Sequence, residues 1–326
     1  MEVLASGTAN FRMPDPDGHR EYLREHRARG LVDRRMTEQE AVSNLVNDGD
    51  YLCYDCTLIQ RGPSSLIREI IRQQKKDLWI GGRFTYLIVN LLVAGGCVGK
   101  IDVGYIGVGR ALNRVLDEGN IEVNEWSNSA MTMRQLAGAM GIPFIPIRFF
   151  GGADSFEHSG AKLIKDPYTH KEVVVVPALN PDVGMVHVHQ CDIYGNARVF
   201  GTSVSPYETA ASSRKVIIST EEIIDTEEIR RDPSKTTIPY YLVDAVVEAP
   251  FGAHPGEVPG LYASDTEAIM EAFRASGQAD PEAMKAYLVK NVYSVASHEE
   301  YLEKVVGVPR LLELKRRATI KEGYYR

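Results

Sequence analysis

Basic residues, cysteines and long apolar runs are all scarce in this sequence. Among 326 residues, 37 Lys and Arg face 44 Asp and Glu, and the net charge of −7 gives no basic surface for nucleic acid. The longest apolar run, from Phe84 to Gly99, is too short and too rich in glycine to span a bilayer. Four cysteines in so long a chain make no disulfide framework. We therefore expect a cytoplasmic protein that binds neither nucleic acid nor membranes.

What the sequence does contain is an alternation of helical segments with short apolar ones. Thr37 followed by Glu40 is typical of a helix N-cap, and a short apolar strand follows from Tyr51. Further β-branched runs, bounded by Gly, Pro, Asn or Asp, continue as far as Pro250. From about Ser264 the apolar spacing is helical. The pattern predicts an α/β fold with a helical C-terminus.

The segment "VHVHQC" places two histidines and a cysteine on one face of a predicted strand. Because side chains alternate along a strand, His187, His189 and Cys191 point the same way, as the ligands of a zinc or copper ion could. The pleat, however, spaces such residues along the strand instead of gathering them around one point. The interior of a sheet produces the same pattern, and the residues alone leave both interpretations open.

Three short motifs fall short of the chemistry that they suggest. "AGGCVGK" has Ala94 in place of the first P-loop glycine, and "GYIGVG" from Gly104 reverses the glycine order of a dinucleotide site. Cys53 and Cys56 have the spacing of a redox or zinc pair, but they open no helix and no second pair follows. None of the three predicts a cofactor.

A glycine-rich turn with a histidine follows the last predicted strand. In "VDAVVEAPFGAHPGEV" the strand stops at Pro250, so Gly252 and His254 lie at its carboxyl end. Ligands bind at this end of the strands in parallel sheets. A tight turn in which His254 is only a hydrogen-bonding cap explains the same residues equally well.

These last residues carry a resemblance to a known family. The run from Ser219 to Tyr262, with "EEIRRDP", "VDAVV" and "GAHP", resembles the A (alpha) subunits of glutaconate CoA-transferases, in the class I CoA-transferase family. Weaker similarity runs from Met36 to the end, which makes residues 1–35 a charged extension that we expect to pack on a partner. The resemblance implies one alpha-subunit domain, residues 36–326, with the three-layer CoA-transferase fold: a largely parallel sheet flanked by helices.

The resemblance also bears on the histidine strand. Similar members keep a histidine at the position of His187 but carry glutamine and alanine at the positions of His189 and Cys191. This favours a strand face, on which His187 is held by a core hydrogen bond, over a metal site. We therefore expect no metal and no cofactor, with a coenzyme A thioester as substrate.

The family's chemistry is a covalent exchange. A glutamate carboxylate attacks the acyl-CoA thioester to give a mixed anhydride, and the released CoA thiolate returns to form a glutamyl-CoA thioester. An incoming carboxylic acid then runs these steps backwards. That glutamate lies in the beta subunit, in a Ser-Glu-Asn-Gly-like motif absent here; the nearest string, "DEGN" from Asp117, is predicted to end a helix. The resemblance thus implies no catalytic residue in this chain and a beta-subunit partner, in a heterodimer that assembles to α2β2 or larger.

The resemblance further indicates the residues that bind acyl-CoA and the acid. A glycine-rich family loop after the first strand falls on Asp55, Cys56 and Thr57, and Arg61 agrees with the glutaconate branch. The expected substrate-binding residues are Asp55, Cys56, Thr57, Arg61, Gly82, Ser127, Asn128, Gly252 and His254. Asp55 departs from the family pattern, because it adds bulk and negative charge where glycine would let a ligand approach the backbone.

Two outcomes are open for Asp55. If its carboxylate faces the pocket, it repels the distal carboxylate of a glutaconate-like acid, and the natural acceptor is neutral or aromatic at its far end. If it turns away to accept hydrogen bonds within the loop, as Asp commonly does in turns, it has no such effect.

Three functions compete at this point. The first is the A subunit of a two-chain CoA-transferase. The second is a ring-opening acyl-CoA hydrolase of the same fold, whose alpha chain carries an acidic residue at the position of Asn128. An amide cannot act as a general base, which favours transfer. The third is a non-catalytic CoA-binding subunit, which the lack of any companion beta chain would favour.

Overall fold

The computed structural model describes residues 2–84, 87–105, 110–277 and 281–318, and its strands form two sheets. In chain order the strands are β1 (Val3–Ser6), β2 (Tyr51–Tyr54), β3 (Leu78–Phe84), β4 (Val98–Tyr105), β5 (Glu122–Glu125), β6 (Phe144–Ile147), β7 (Lys162–Lys165), β8 (Glu172–Pro177), β9 (Val183–Cys191), β10 (Ala197–Arg198), β11 (Lys215–Ile223) and β12 (Ala245–Glu248). The larger sheet has the order β12-β11-β9-β2-β3-β4-β5, in which all neighbours are parallel. β10 pairs with β9 in the antiparallel sense. The carboxyl ends of the parallel strands therefore lie at one edge, where ligands bind in open α/β sheets.

Helices cover both faces of the larger sheet. In chain order the α-helices of the described residues are α1 (Pro16–His26), α2 (Glu38–Leu45), α3 (Ser64–Arg72), α4 (Ile88–Ala94), α5 (Arg110–Asp117), α6 (Asn128–Met140), α7 (Pro206–Ser212), α8 (Thr226–Arg231), α9 (Thr266–Gly277), α10 (Pro281–Leu288), α11 (His298–Glu300) and α12 (Val308–Ala318). Leu52 of β2 packs with α2, α3 and α4 on one face, whereas its neighbours Tyr51 and Cys53 pack towards α6 on the other. This alternation gives the predicted three-layer arrangement of a largely parallel sheet between helices.

The predicted helix start at Thr37 and the predicted helix end near Gly119 are confirmed. Thr37 is the N-cap of α2, and its side chain and that of Glu40 exchange the predicted capping bonds. Gly119 follows α5 with φ +71°, as expected for a helix end. The "AGGCVGK" segment runs from a helix into a strand, the reverse of a P-loop, and Gly107 and Gly109 of "GYIGVG" lie outside the described residues.

A second, antiparallel sheet was not predicted. Its order is β1-β7-β8-β6, and the runs "IPFIPI" and "EVVVVPAL" supply two of its strands. Its buried side chains, among them Ile147 and Val176, pack with Trp126 and Met131 against the α6 side of the larger sheet. β6 and β8 pair with no strand of the larger sheet. Their antiparallel pairing with each other satisfies their backbone hydrogen bonds and so forms a separate sheet.

The N-terminal charged extension packs on its own domain. β1 adds an edge strand to the smaller sheet, and Arg27 donates from Nη2 to the carbonyl oxygens of Ser213 and Arg214, at 3.0 Å each. The backbone N–H of Arg34 donates to the carbonyl of Ile193 at 2.9 Å. These contacts join residues 2–35 to the rest of the chain, and packing of this segment on a partner stays a prediction. Across the same ranges, no helix is both long and apolar enough to cross a membrane.

Candidate functional site at the carboxyl edge of the sheet

Three loops meet at the carboxyl edge of the larger sheet. The first follows β2, the second follows β10, and the third follows β12. The backbone N–H of Arg61 donates to the carbonyl of Glu257 at 2.9 Å, and the N–H of Glu257 returns a bond of 2.9 Å to Ile59. Arg61 Nη2 also donates to the carbonyl of Thr202 at 3.1 Å. The first loop is thus fastened to both of the others.

Asp55 lies at the centre of these contacts and is fully buried. Its Oδ2 accepts from Arg61 Nη1 at 2.9 Å, and its Oδ1 accepts from Arg83 Nη2 at 2.8 Å. Arg83 Nη1 also donates to Gln135 of α6 at 3.0 Å and contacts the hydroxyl of Ser205, the N-cap residue of α7. The Asp55 carboxylate thus binds two buried guanidinium groups. Through Arg83 it connects the end of β2 and β3 with α6 and α7.

This geometry answers the question about the Asp55 side chain. Both carboxylate oxygens are occupied, and Oδ1 accepts a further long bond of 3.4 Å from the backbone N–H of Ser205. The carboxylate faces inward, so it presents no free negative charge to a substrate. The expectation that Asp55 repels a dicarboxylic acid loses its basis, because two arginines neutralise the charge that the repulsion required.

The loop after β2 holds a strained turn. Thr57 and Gln60 exchange N–H···O bonds of 3.1 and 3.0 Å, and Leu58 at the tip has φ +59°. Arg61 and, across the site, Phe251 both have φ +56°. The left-handed conformation costs a residue with a side chain about 1–2 kcal/mol, and such residues concentrate at functional sites.

Cys56 is enclosed beneath this turn. Burial raises the pKa of its thiol to about 12, so the sulfur stays protonated at neutral pH and is not a nucleophile. Burial raises the pKa of Cys53 to about 12 as well. The two side chains belong to different core clusters, on opposite sides of the sheet. They form no redox pair.

His187 of β9 and Glu221 of β11 form a second enclosed pair. His187 Nε2 donates to Glu221 Oε1 at 2.7 Å, and its Nδ1 accepts from the hydroxyl of Ser219 at 2.9 Å. The hydroxyl of Tyr262 donates to the same glutamate oxygen at 2.6 Å. The expected core hydrogen bond of His187 is therefore confirmed, and its partner is a carboxylate.

His189 joins two of the loops instead of facing a ligand. Its Nδ1 accepts from the backbone N–H of Phe200 at 3.2 Å, and its Nε2 donates to the carbonyl of Pro259 at 3.0 Å. Burial lowers the pKa of His189, which favours the neutral ring that this pair of bonds requires. The Sγ atom of Cys191 lies 3.3 Å from the backbone carbonyl oxygen of Asp192. In the described part of the chain, no group of His, Cys, Asp or Glu side chains is placed to hold a metal ion.

Gly252 is held against the His187 ring. A Cβ on Gly252 would lie 2.6 Å from Cε1 of His187, so a larger residue there would push the ring away from Glu221. The backbone N–H of Ser65 donates to the carbonyl of Gly252 at 2.9 Å, which fixes the turn over the start of α3. Gly252 therefore packs the edge closely and does not offer an open surface.

His254 faces inward, towards the C-terminal helices. It is buried, its Nδ1 accepts from the hydroxyl of Tyr301 at 2.9 Å, and its Nε2 donates to Asp265 at 3.3 Å. Burial lowers the pKa of His254, although the bond to Asp265 opposes the shift. Arg310 of α12 binds both oxygens of Asp265 at 2.8 and 3.0 Å. Of its two interpretations, the structure supports the cap: His254 holds the turn and makes no contact with the surface.

The remaining expected residues lie along the same edge. A Cβ on Gly82 would stand 2.6 Å from the hydroxyl of Tyr54, next to Arg83 in β3. Ser127 caps α6 by accepting from the N–H of Ala130 at 3.0 Å. Asn128 packs on Gly104 at the end of β4, where its buried Oδ1 has no hydrogen-bond partner among the described residues. Ser127 and Asn128 thus share the edge but have no bond to the loop of Asp55.

Several residues that build the site were not predicted. Arg83 follows the glycine pair of β3, and Ser205 precedes the proline that begins α7, which is a recognisable cap signal. Glu221 lies two residues beyond Ser219 on β11 and so shares the face that meets His187. Of these, only the cap and the strand spacing could be detected in the sequence; the pairing of Arg83 with Asp55 depends on distant contacts.

The same arrangement of sheet, loops and helices occurs in known proteins. A family model for coenzyme A transferases matches residues 35–249, about two thirds of the chain. The chain belongs to the coenzyme A transferase family. Its structure superposes on the crystal structure of glutaconate coenzyme A-transferase from Acidaminococcus fermentans with a TM-score of 0.80 and 29% identity, covering 86% of this chain and 95% of that one.

Three relatives are similar to this chain over most of their length. The A subunit of glutaconate CoA-transferase from Acidaminococcus fermentans is 31% identical over 304 residues, covering 86% of this chain and 94% of the relative. The A subunit of 3-oxoadipate CoA-transferase from Pseudomonas knackmussii is 29% identical, covering 83% and 97%. The cholesterol ring-cleaving hydrolase IpdA subunit from Rhodococcus jostii is 28% identical, covering 82% and 94%. The fold and the resemblance to the A subunits are thereby confirmed.

Proposed function

We propose that this chain is the A subunit of a two-chain CoA-transferase, which moves CoA between an acyl-CoA and a carboxylic acid with a beta subunit. Two relatives that are similar over more than nine tenths of their length are A subunits of CoA-transferases. The proposal includes a second chain, because both relatives are named as subunits, and it requires neither a metal nor a cofactor beyond the CoA thioester.

The observation that carries the proposal is that the two enclosed carboxylates at the carboxyl edge, those of Asp55 and Glu221, are already engaged. Asp55 is bound by two arginines, and Glu221 accepts from His187, Tyr262 and the backbone N–H of Phe251. Cys56 is protonated at neutral pH. Enclosed carboxylates that already accept several hydrogen bonds are poor nucleophiles, which supports a nucleophile supplied by another chain.

In the proposed mechanism the partner's glutamate carboxylate attacks the thioester carbonyl. The C–S bond breaks, CoA leaves as the thiolate, and a mixed anhydride forms. The thiolate then attacks the glutamyl carbonyl, which gives the glutamyl-CoA thioester and releases the first acid as a carboxylate. A second carboxylate reverses both steps and leaves as acyl-CoA. This chain contributes a rigid wall at the carboxyl edge that keeps the anhydride away from water.

Hydrolysis is the second candidate, since the IpdA relative is a hydrolase subunit. A hydrolase needs a base that activates water. The side chain expected at that position here is Asn128, whose amide cannot accept a proton at neutral pH. Transfer is therefore favoured.

Acceptor dependence separates the two functions. The chain should be co-expressed with a CoA-transferase beta chain from the same genome that carries the Ser-Glu-Asn-Gly-like motif, and acyl-CoA donors screened against carboxylic acids. We expect a new acyl-CoA to form as fast as the donor disappears, with little free thiol released. Release of free CoA at the same rate without any acid would show hydrolysis and contradict the transferase.

A further inference from the structure

A cleft with two chambers opens beside residues 11–15 of the N-terminal extension. Met13 and Pro14 line both chambers, which therefore adjoin. Asn180 and Arg214, which precede β9 and β11, line the second chamber, so it lies at the amino edge of the larger sheet, where the parallel strands begin. β9 has nine residues and spans about 30 Å. The cleft is thus well separated from the carboxyl edge.

The first chamber is apolar and has a volume of about 260 Å³. Val3, Phe144 and Val175 of the smaller sheet form much of its wall, and Phe11 adds an aromatic ring. Among the described residues that line it, only Lys162 is charged. A cavity of about 150 Å³ is large enough to bind benzene, so by proportion this apolar chamber has room for about ten carbon atoms. It therefore suits an apolar chain or ring.

The second chamber is polar and much smaller. Its volume of about 30 Å³ is enough for about two water molecules, and hence for the two oxygens of a carboxylate. Its polar lining residues are Arg12, Asp15, His19, Asn180 and Arg214. His19 is only 4% exposed, and neither of its ring nitrogens has a hydrogen-bond partner among the described residues. Buried polar atoms without a partner are uncommon and costly, which indicates that a group from outside the chain binds in this polar chamber.

The charges around His19 favour an anion. Burial, Arg27 and Arg214 lower the pKa of His19 to about 4. The backbone of Ala211 and the negative charge of Asp15 oppose the shift with smaller effects. The imidazole is therefore neutral at pH 7 and can donate one N–H. Because the two arginines act on it more strongly than Asp15 does, the electrostatic potential at the ring is positive.

The acidic groups near the polar chamber are already engaged. Asp182 binds Arg12 Nη1 at 2.7 Å and lies 3.7 Å from Arg214 Nη1. Asp15 Oδ1 accepts from the N–H of Gly18 at 2.9 Å, as the N-cap of α1. The buried Nε of Arg214 has no partner among the described residues and remains free to donate. The Oδ1 of Asn180 also lacks a donor there, which the amide of a neutral ligand could supply.

From these observations we propose that the cleft binds an apolar monocarboxylic acid, with its carboxylate beside His19 and Arg214 and its chain or ring in the apolar chamber. The site goes beyond the proposed function and does not rest on it. Its occupant is not the acid that undergoes transfer, because the carboxyl edge lies at the other end of the strands. Binding would hold residues 11–15 against both sheets.

The test titrates three ligands into the purified full chain in a calorimeter. Octanoate should bind with a Kd of about 1 mM or lower. Butyrate should bind at least about tenfold more weakly, because it buries four fewer methylene groups. Octanamide keeps the chain but has no charge, and it should bind at least about fivefold more weakly, since hydrogen bonds to an ionised group are the stronger ones.

Two variants locate the ligand within the cleft. Val175→Phe fills the apolar chamber and should raise the Kd for octanoate at least about tenfold without lowering the melting temperature. His19→Leu removes both ring nitrogens and should raise the Kd at least about fivefold, also without loss of stability, because no internal hydrogen bond is lost. Val308→Phe is the matched control, since Val308 is exposed on α12 and lies outside the cleft; the Kd should stay within about twofold.

Each contrary result would overturn the site. Octanoate that does not bind at about 10 mM shows that the cleft has no affinity for such acids. Equal binding of octanoate and butyrate, or an unchanged Kd for Val175→Phe, excludes the apolar chamber as the place of the chain. Octanamide that binds as tightly as octanoate excludes a carboxylate beside His19. All of these measurements use the single chain, so they leave the proposed function untouched.

Discussion

Purified without a partner, the chain should transfer CoA at no more than about a thousandth of the rate of the pair, since removing the covalent nucleophile from comparable enzymes costs at least that much. The physical reason is that the enclosed acids at its carboxyl edge are already engaged. Asp55 accepts from Arg61 and Arg83, and Glu221 accepts from His187. The measurement is acyl-CoA exchange by the chain, by the beta chain and by their mixture at equal concentrations.

Reconstitution provides the control for that experiment. Mixing the two purified chains should restore the rate, which shows that each was folded. A rate for the single chain close to that of the mixture would contradict the division of labour, and mutation of Asp55 and Glu221 would then be the next step.

Replacing Asp55 by Asn should lower the free energy of unfolding by about 3–5 kcal/mol, the usual cost of removing one member of a buried ion pair. The substitution keeps the shape of the side chain but leaves the guanidinium groups of Arg61 and Arg83 enclosed without a counter-charge; both side chains are less than a twentieth exposed. Denaturant titration of the isolated chain measures the loss.

Two further variants separate charge from shape. Glu227→Gln removes an equivalent carboxylate from an exposed ion pair with Arg230, and it should change the stability by less than about 1 kcal/mol. Adding Arg61→Met to Asp55→Asn should recover part of the loss, because it removes one of the two uncompensated charges. A loss below about 1 kcal/mol for Asp55→Asn alone would show that the cluster does not hold the loop.

How far the sequence predicts this molecule depends on how local each signal is. The capping pair of Thr37 and Glu40 spans one helical turn, and the alternation of strands and helices needs only short segments. The second sheet could not be predicted in this way, because β6 and β8 are more than twenty residues apart. The sequence of a strand does not indicate which other strand it pairs with.

Asp55 shows the same limit within the site. Its sequence position correctly placed it on the loop after β2, and Arg61, six residues on, was a possible local partner. Arg83 lies 28 residues away on β3, and only the parallel pairing of β2 with β3 brings it close. The sequence alone therefore does not give the direction of the Asp55 side chain or its effect on a substrate.

The central claim is that the covalent intermediate forms on the partner and not on this chain. The most direct measurement incubates the pair with acyl-CoA in the absence of acceptor acid, traps the thioester with borohydride, and locates the modified residue by peptide mass mapping. The expected result is one modified glutamate in the beta subunit, with no modified residue here. Modification of a glutamate or aspartate of this chain would contradict the claim.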